Sequence, residues 1–318
     1  MATAVVVSVA LGGALASVVW VDAQLHHDAD LEAIANRPLS GRGTTYLIAG
    51  SDSRAGLSAR DKKDLHVGSA EGRRTDSMIL LHTGAHGVTM VSLPRDSWVT
   101  IPSWVRPETG ERHTAARDKL NAAYAYGGPE LLVRTVERAT GLRIDHYAEI
   151  GFRGFVDVVD EVGGVRMCVD RRIRDRDSGV DLRKGCHNLG GAQGLAFVRQ
   201  RHQESAGDLG RTENQRRFLT ALAGRVASPE VLLNPATVHS VLGAALDTMV
   251  VDTEMGPADL TALLRAVGSG GSTTLNVPVS AVGVPMSKGS AVRWDAEKAR
   301  RLFTALREDR PVRSGAAE

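Results

Sequence analysis

From residue 44 onward, short apolar runs separated by polar turns read as β-strands: TTYLIAG at 44–50, SMILLHT at 77–83 and GVTMVSLP at 87–94. The link GAHG at 84–87 is short enough to predict a hairpin between the last two. The unbroken apolar run 78–81 predicts strands covered on both faces. Past residue 128 the period lengthens toward that of a helix. Leu131, Leu132, Thr135, Val136 and Ala139 share one helical face, opened by Pro129 and ended by Gly141. Residues 152–164 repeat that design. A strand at 165–169 follows, then helices near 190–199, 211–227, 229–247 and 256–267, a strand at 273–277 and a last helix from Asp295. The charged segment 170–188 shows no period and reads as a long loop. Irregular alternation of strands and helices predicts one α/β domain over 44–318, with a central sheet covered by helices on both faces.

Upstream, residues 2–21 form an uncharged stretch of 20 residues, the length a helix needs to cross a bilayer. Trp20 lies near its end, where amphipathic aromatics favour the interface. The run is long for a cleaved signal peptide and its small-residue cleavage pattern is poor. It therefore reads as a retained transmembrane anchor over 1–22, with 23–43 as a polar tether.

Net charge is only +2, which argues against a chain that coats nucleic acid. Hydrophobic residues make up 42% and charged residues 24%, the range of a folded globular chain. Of the 39 basic residues, 33 are arginine. A GC-rich coding bias explains such a ratio, but the arginine fork also grips phosphates in a bidentate way, so position has to decide.

Position singles out four segments. GSDSR (50–54) follows the first strand, RRTDS (73–77) precedes the second, PRDS (94–97) follows the third, and RQR (199–201) leads into DLGR (208–211) and NQR (214–216). If the three strands are neighbours, Asp52, Arg54, Arg74, Asp76 and Arg95 converge at one edge of the sheet. Arginines packed together repel one another unless an anion lies between them. Two carboxylates among them could hold Mg²⁺, which favours one or two carboxylates plus substrate phosphates. Arginine forks with an Asp-held metal are the equipment of phosphoryl transfer.

GSDSR, RTDS before an apolar strand, VSLPRDSWVTIP, KLNAAYAYGG (119–128) and the R-x-R…D-x-G-R…Q block at 199–215 resemble, in order, the LytR-CpsA-Psr family. The resemblance implies an α/β/α sandwich with a central mixed sheet and an apolar pocket for a lipid. It also implies an extracytoplasmic, single-pass membrane enzyme that moves a glycopolymer from a polyprenyl-pyrophosphate carrier onto a peptidoglycan hydroxyl. By motif, Asp52 and Asp76 would hold Mg²⁺. Arg74, Arg95, Arg199, Arg201 and Gln215 would grip the pyrophosphate. Arg54 falls beside them, and Arg211 would act with Asp208 as its orienting partner. The charged stretch 55–72 between the first two motifs reads as a lid or a tolerated insertion.

The same residues would serve a polyprenyl-pyrophosphate hydrolase, with water replacing the sugar. A non-catalytic envelope regulator or lipid-binding protein is a third reading, weakened because carboxylates and arginines are both present. An extracytoplasmic body predicts that Cys168 and Cys186 form a disulfide across the charged loop. His26, His27, His82, His86 and His113 have no partner at telling spacing and read as surface or tether residues. The basic run 171–176 reads as a solvated loop.

Overall fold

The structure, a computed structural model, describes residues 21–52, 57–67, 75–107, 109–200, 208–268 and 272–312, with the backbone alone for 208–213, 215 and 216. Strands β1 (His26–Ala29) and β2 (Thr44–Ser51) are followed by helix α1 (Ala59–Asp64) and by strands β3 (Thr75–Gly84) and β4 (Gly87–Leu93). Short strands β5 (Trp98–Ile101), β6 (Trp104–Val105), β7 (Arg112–His113) and β8 (Ala116–Lys119) lead into α2 (Leu120–Thr140), β9 (His146–Ile150) and α3 (Phe152–Glu161). Next come β10 (Val165–Val169), β11 (Ile173–Asp175), β12 (Val180–Leu182), β13 (Gly185–Leu189), α4 (Gly191–Arg199), α5 (Asp208–Val226), α6 (Pro229–Leu232) and α7 (Pro235–Leu246). The last elements are β14 (Met249–Asp252), α8 (Pro257–Gly268), β15 (Thr273–Asn276), β16 (Val279–Met286), β17 (Gly289–Trp294) and α9 (Ala296–Arg307).

Among the described residues the main sheet has seven strands in the order β1-β14-β9-β2-β3-β4-β15. It is mixed: β2 pairs antiparallel with β3 and parallel with β9. Period-2 alternation sorts its side chains onto two covered faces. Leu47, Leu80, Val91 and Tyr147 join Leu132 and Val136 of α2 and Phe303 of α9 in one core. Tyr46, Leu81 and Ala148 face the other way and meet Leu246 of α7 and Leu260 and Leu263 of α8. A third apolar cluster, outside the sheet, gathers α3, α4 and Phe218 of α5.

Several elements differ from the sequence reading. The 23–43 tether is part of the domain: β1 pairs with β14, and Leu25, Leu31 and Ile34 are buried. Arg37 forms a buried ion pair with Glu137 at 2.8 Å. These contacts are long-range and the apolar positions sparse, so no local period announces them. The predicted helix over 229–247 is two, because Asn234 caps α7 by accepting from Ala236 N and Thr237 N just before Pro235. Helix α2 begins at Leu120, well before the predicted start at Pro129, and bends at Gly128, whose φ of 67° and ψ of −158° suit glycine alone. His82 is buried, bonded to Thr45 Oγ1 at 3.0 Å, and desolvation holds its imidazole below the ordinary 6.5 despite the nearby Asp309. His113 stacks on Trp104 with ring centroids 4.8 Å apart.

The predicted loop 170–188 is also folded, as two nested antiparallel ladders. β10 pairs with β13 and β11 with β12. Its inward residues, Ile173, Val180 and Leu182, alternate over runs of only three residues, too short to show a period. Arg172, in the run read as a solvated loop, ion-pairs with Asp181 across the inner ladder at 2.8 Å. Cys168 lies directly opposite Cys186, and the two are bonded with S–S at 1.98 Å. Both cysteines are exposed, so the bond lies on the open side of the ladder. Replacing Cys168 and Cys186 together by serine is expected to lower unfolding stability by about 3 kcal/mol, measured by denaturant titration. Two alkylatable thiols in native protein taken from the envelope without reductant would contradict the bond.

Among the described residues no helix is long and apolar enough to cross a membrane. All of the predicted anchor except Val21 and Asp22 lies outside them.

Candidate active site

Strand register brings the motifs together. In the β2–β3 ladder Gly50 faces Ser77 and Ser51 faces Thr75, so Asp52 and Asp76 emerge at one end of the sheet. In the β3–β4 ladder Met78 faces Leu93, which places Arg95, two residues past β4, level with Asp76. The approach at this end is close, because a Cβ on Gly50 would meet Ser77 Oγ at 2.4 Å. A side chain at the head of the GSDSR segment would therefore have to turn the Ser77 hydroxyl aside.

Between these strand ends lies a polar cavity of about 500 Å³, lined by Asp52, Asp76, Arg95, Asp96, Asp118 and Lys119, and also by Asn121, Tyr126, Phe152, Arg199 and Lys288. Arg95 Nη1 donates to Asp76 Oδ1 at 2.7 Å, and its Nε lies 3.5 Å from Asp96. Lys119 Nζ reaches Asp96 Oδ1 at 2.9 Å. Asp118 is buried and accepts from Tyr126 Oη at 2.7 Å. Four carboxylates thus interleave with two arginines and two lysines.

The turn carrying Arg95 is held by backbone bonds. Asn121 N donates to Arg95 O at 3.1 Å, Leu120 N to Ser97 O at 2.9 Å, and Val292 N to Asp96 O at 2.9 Å. Its buried Ser97 hydroxyl donates to Pro94 O at 2.6 Å. Such bracing fixes the guanidinium before substrate arrives, which is what electrostatic stabilisation of a charged transition state requires.

Arg199 enters from the last residue of α4. Its two terminal nitrogens donate to the carbonyls of Leu65 and His66 at 3.1 and 3.2 Å, and its guanidinium lies 5.0 Å from the Phe152 ring centroid. The described part of the 55–72 stretch is thereby tied to the site. Its helix α1 is closed by a Ser58–Asp61 capping box, and Leu57, Leu65 and Val67 are buried in the same cluster as Phe152.

Of the residues singled out by sequence, the structure gathers Asp52, Asp76, Arg95 and Arg199 on one cavity. Arg54, Arg74 and Arg201 lie outside the described residues. Asp208, Arg211 and Gln215 fall on the first turns of α5, and their side chains also lie outside the description. Sequence reasoning assigned no role to Asp96, Asp118, Lys119, Asn121, Tyr126, Phe152 or Lys288. Lys119 and Asn121 stand in the KLNAAYAYGG motif and could have been found there. Lys288, on the β16–β17 turn, carries no local signal. A buried brace was missed too: Glu149 accepts from Tyr124 Oη at 2.7 Å and Tyr147 Oη at 2.8 Å, tying α2 to β9 behind the cavity.

Among the described residues no group of three or more His, Cys, Asp or Glu is assembled as a metal cage. The cavity's possible ligands are hard carboxylate oxygens on adjoining strand ends. That donor set fits Mg²⁺ shared with substrate phosphates rather than a cation enclosed by protein.

The model of the LytR_cpsA_psr family matches residues 21–306. The probable cell wall biosynthesis protein LcpB of Corynebacterium glutamicum is 39% identical over 291 residues, 91% of this chain and 66% of that protein. The polyisoprenyl-teichoic acid–peptidoglycan teichoic acid transferase TagU of Oceanobacillus iheyensis is 33% identical over 196 residues, 59% of this chain and 56% of that protein. The chain thus spans just under two thirds of the first relative and a little over half of the second. A solved LytR-Csp2A-Psr enzyme from Actinomyces oris superposes with a TM-score of 0.65 at 24% identity, covering 89% of this chain and 96% of that one, and shares its fold.

Proposed function

The chain belongs to the LytR_cpsA_psr family, and from that premise we propose that it is a phosphotransferase acting in cell-wall glycopolymer transfer. It moves a glycopolymer from a polyprenyl-pyrophosphate carrier onto a peptidoglycan sugar hydroxyl and leaves a phosphodiester link. The observation that carries this reading is the convergence of Asp52, Asp76, Arg95 and Arg199 on one polar cavity at the ends of adjoining strands. The transferase name borne by TagU relatives supports it.

In this reading the acceptor hydroxyl oxygen attacks the sugar-proximal phosphorus. The bond to the bridging oxygen breaks, polyprenyl phosphate leaves, and the hydroxyl proton passes to a cavity carboxylate acting as general base. Arg95, aimed by its 2.7 Å bond to Asp76, and Arg199 face the charge that spreads over the phosphoryl oxygens. Asp52 and Asp76 would hold Mg²⁺, which when bound neutralises phosphate charge. Phe152 belongs both to the cavity wall and to the apolar cluster of α3 and α4, and offers the lipid chain an apolar surface. Each buried methylene of that chain contributes about 0.8 kcal/mol.

An anchor over residues 1–22 would place this site outside the cytoplasm beside its membrane-borne donor, raising the donor's effective concentration. Depleting the protein in its host is expected to make one polyprenyl-pyrophosphate-linked glycan accumulate in the membrane, read by lipid extraction and mass spectrometry. Unchanged carrier-linked pools would contradict the proposal.

A further inference from the structure

A second cavity, of about 650 Å³, lies beside the first, between the β5–β8 ladder, the end of α2, β17 and α9. The two adjoin along one ladder rung: Trp98, which lines the second, pairs with Lys119, which lines the first. They are also joined through the Arg95 turn, since Trp294 Nε1 in the second cavity donates to Ser97 Oγ at 2.8 Å.

The lining has an unusual make-up. Trp98, Trp294 and Phe303 form an aromatic floor, with the Trp294 and Phe303 ring centroids 5.7 Å apart. Arg117, Arg138, Arg293 and Arg300 stand around it, all four exposed. None of these guanidinium groups has an ion-pair partner among the described residues, although Arg117 donates to the Trp98 carbonyl at 3.3 Å. Arg301, next to Arg300 on α9, by contrast pairs with Glu297.

Four cations lining one concavity without counter-charge repel one another, and an anion among them relieves that repulsion. The half-buried rings of Trp98 and Trp294 suit the C–H faces of sugar rings, while arginine forks match carboxylate and phosphate oxygens. The rings line a hollow, and Phe303 is only 2% exposed, so they do not project as a membrane-inserting patch would. We propose that this cavity is a subsite for an anionic glycan, holding phosphate- or carboxylate-bearing sugar units of a chain that runs on into the first cavity. Its place in the reaction rests on the transferase reading, while the binding itself does not.

Binding is tested without turnover, by tryptophan fluorescence of the chain titrated separately with three soluble glycans and one membrane probe. The glycans are a soluble phosphomannan, peptidoglycan fragments and neutral dextran, and the membrane probe is phosphatidylglycerol vesicles. The expected result is saturable binding of at least one of the two anionic glycans, with dextran inert. Response to the phosphate polymer identifies the transferred chain as the occupant, and response to peptidoglycan fragments identifies the acceptor. Affinity should fall about tenfold or more in the double variant Arg138→Ala/Arg300→Ala. It should stay unchanged in Arg172→Ala, which lies on neither cavity. Failure of both anionic glycans to bind, equal affinity in the double variant, equal binding of dextran, or binding of vesicles alone would overturn the proposal. Because the readout needs no catalysis, a failed transfer assay leaves this test standing on its own.

Discussion

Replacing Asp76 by asparagine is expected to lower kcat/KM for glycan transfer by about 10²–10³-fold or more, while the protein stays folded. Asp76 lies at the start of β3 with its side chain 28% exposed, so an isosteric amide fits without repacking the core. What the change removes is charge. The carboxylate aims Arg95 from 2.7 Å, and an amide oxygen would hold that guanidinium more weakly. The same change takes away one of two carboxylates proposed to hold Mg²⁺. Manganese titration followed by electron paramagnetic resonance should therefore show weakened binding in Asp76→Asn and in Asp52→Asn, independent of turnover. Full transfer by Asp76→Asn with an unchanged melting temperature, or full transfer in excess chelator, would remove this pair from the mechanism.

Arg199→Ala is expected to cost at least about 2 kcal/mol of transition-state stabilisation, roughly a 30-fold loss in kcat/KM, whereas Arg172→Ala should leave transfer near the wild-type level. Arg199 ends helix α4 and Arg172 lies on the turn between β10 and β11, and their surroundings differ. Arg172 ion-pairs with Asp181 on an exposed hairpin. Arg199 lines the cavity, bridges the Leu65 and His66 carbonyls and stands over Phe152. Lysine at 199 should recover little, because one ammonium cannot reproduce a planar fork that bonds two carbonyls while stacking on a ring. Steady-state transfer kinetics, with melting temperatures as the fold control, check this. Equal and mild losses at 172 and 199 would contradict a substrate role for Arg199.

The part of the site that was legible in the sequence is the part carried by consecutive strands. Asp52, Asp76 and Arg95 each stand next to an apolar run, and the two-residue link between β3 and β4 makes those two strands neighbours, so Asp76 and Arg95 were bound to meet, while Asp52 joins them through the β2–β3 pairing. Arg199 was found by its motif rather than by any period. What escaped depends on long-range contacts. Lys288 arrives from a hairpin almost two hundred residues after Arg95. β1 reaches the sheet edge only by pairing with β14. The 170–188 segment hid two ladders because its solvent-facing positions are Arg, Asp and Lys, and each inward run is too short to reveal alternation. The disulfide was anticipated from the compartment and from the charged segment that the two cysteines flank. The ladder gives it a geometric reason, since Cys168 and Cys186 are cross-strand partners.

The central claim is that a sugar hydroxyl, not water, takes the phosphoryl group. The measurement that tests it most directly is product analysis by mass spectrometry, after incubating the purified protein with polyprenyl-pyrophosphate-linked glycan and peptidoglycan. The account predicts peptidoglycan fragments bearing the glycan through a single phosphate, with one polyprenyl phosphate released for each link formed. Glycan phosphate and polyprenyl phosphate released with no peptidoglycan adduct would show hydrolysis instead and contradict it.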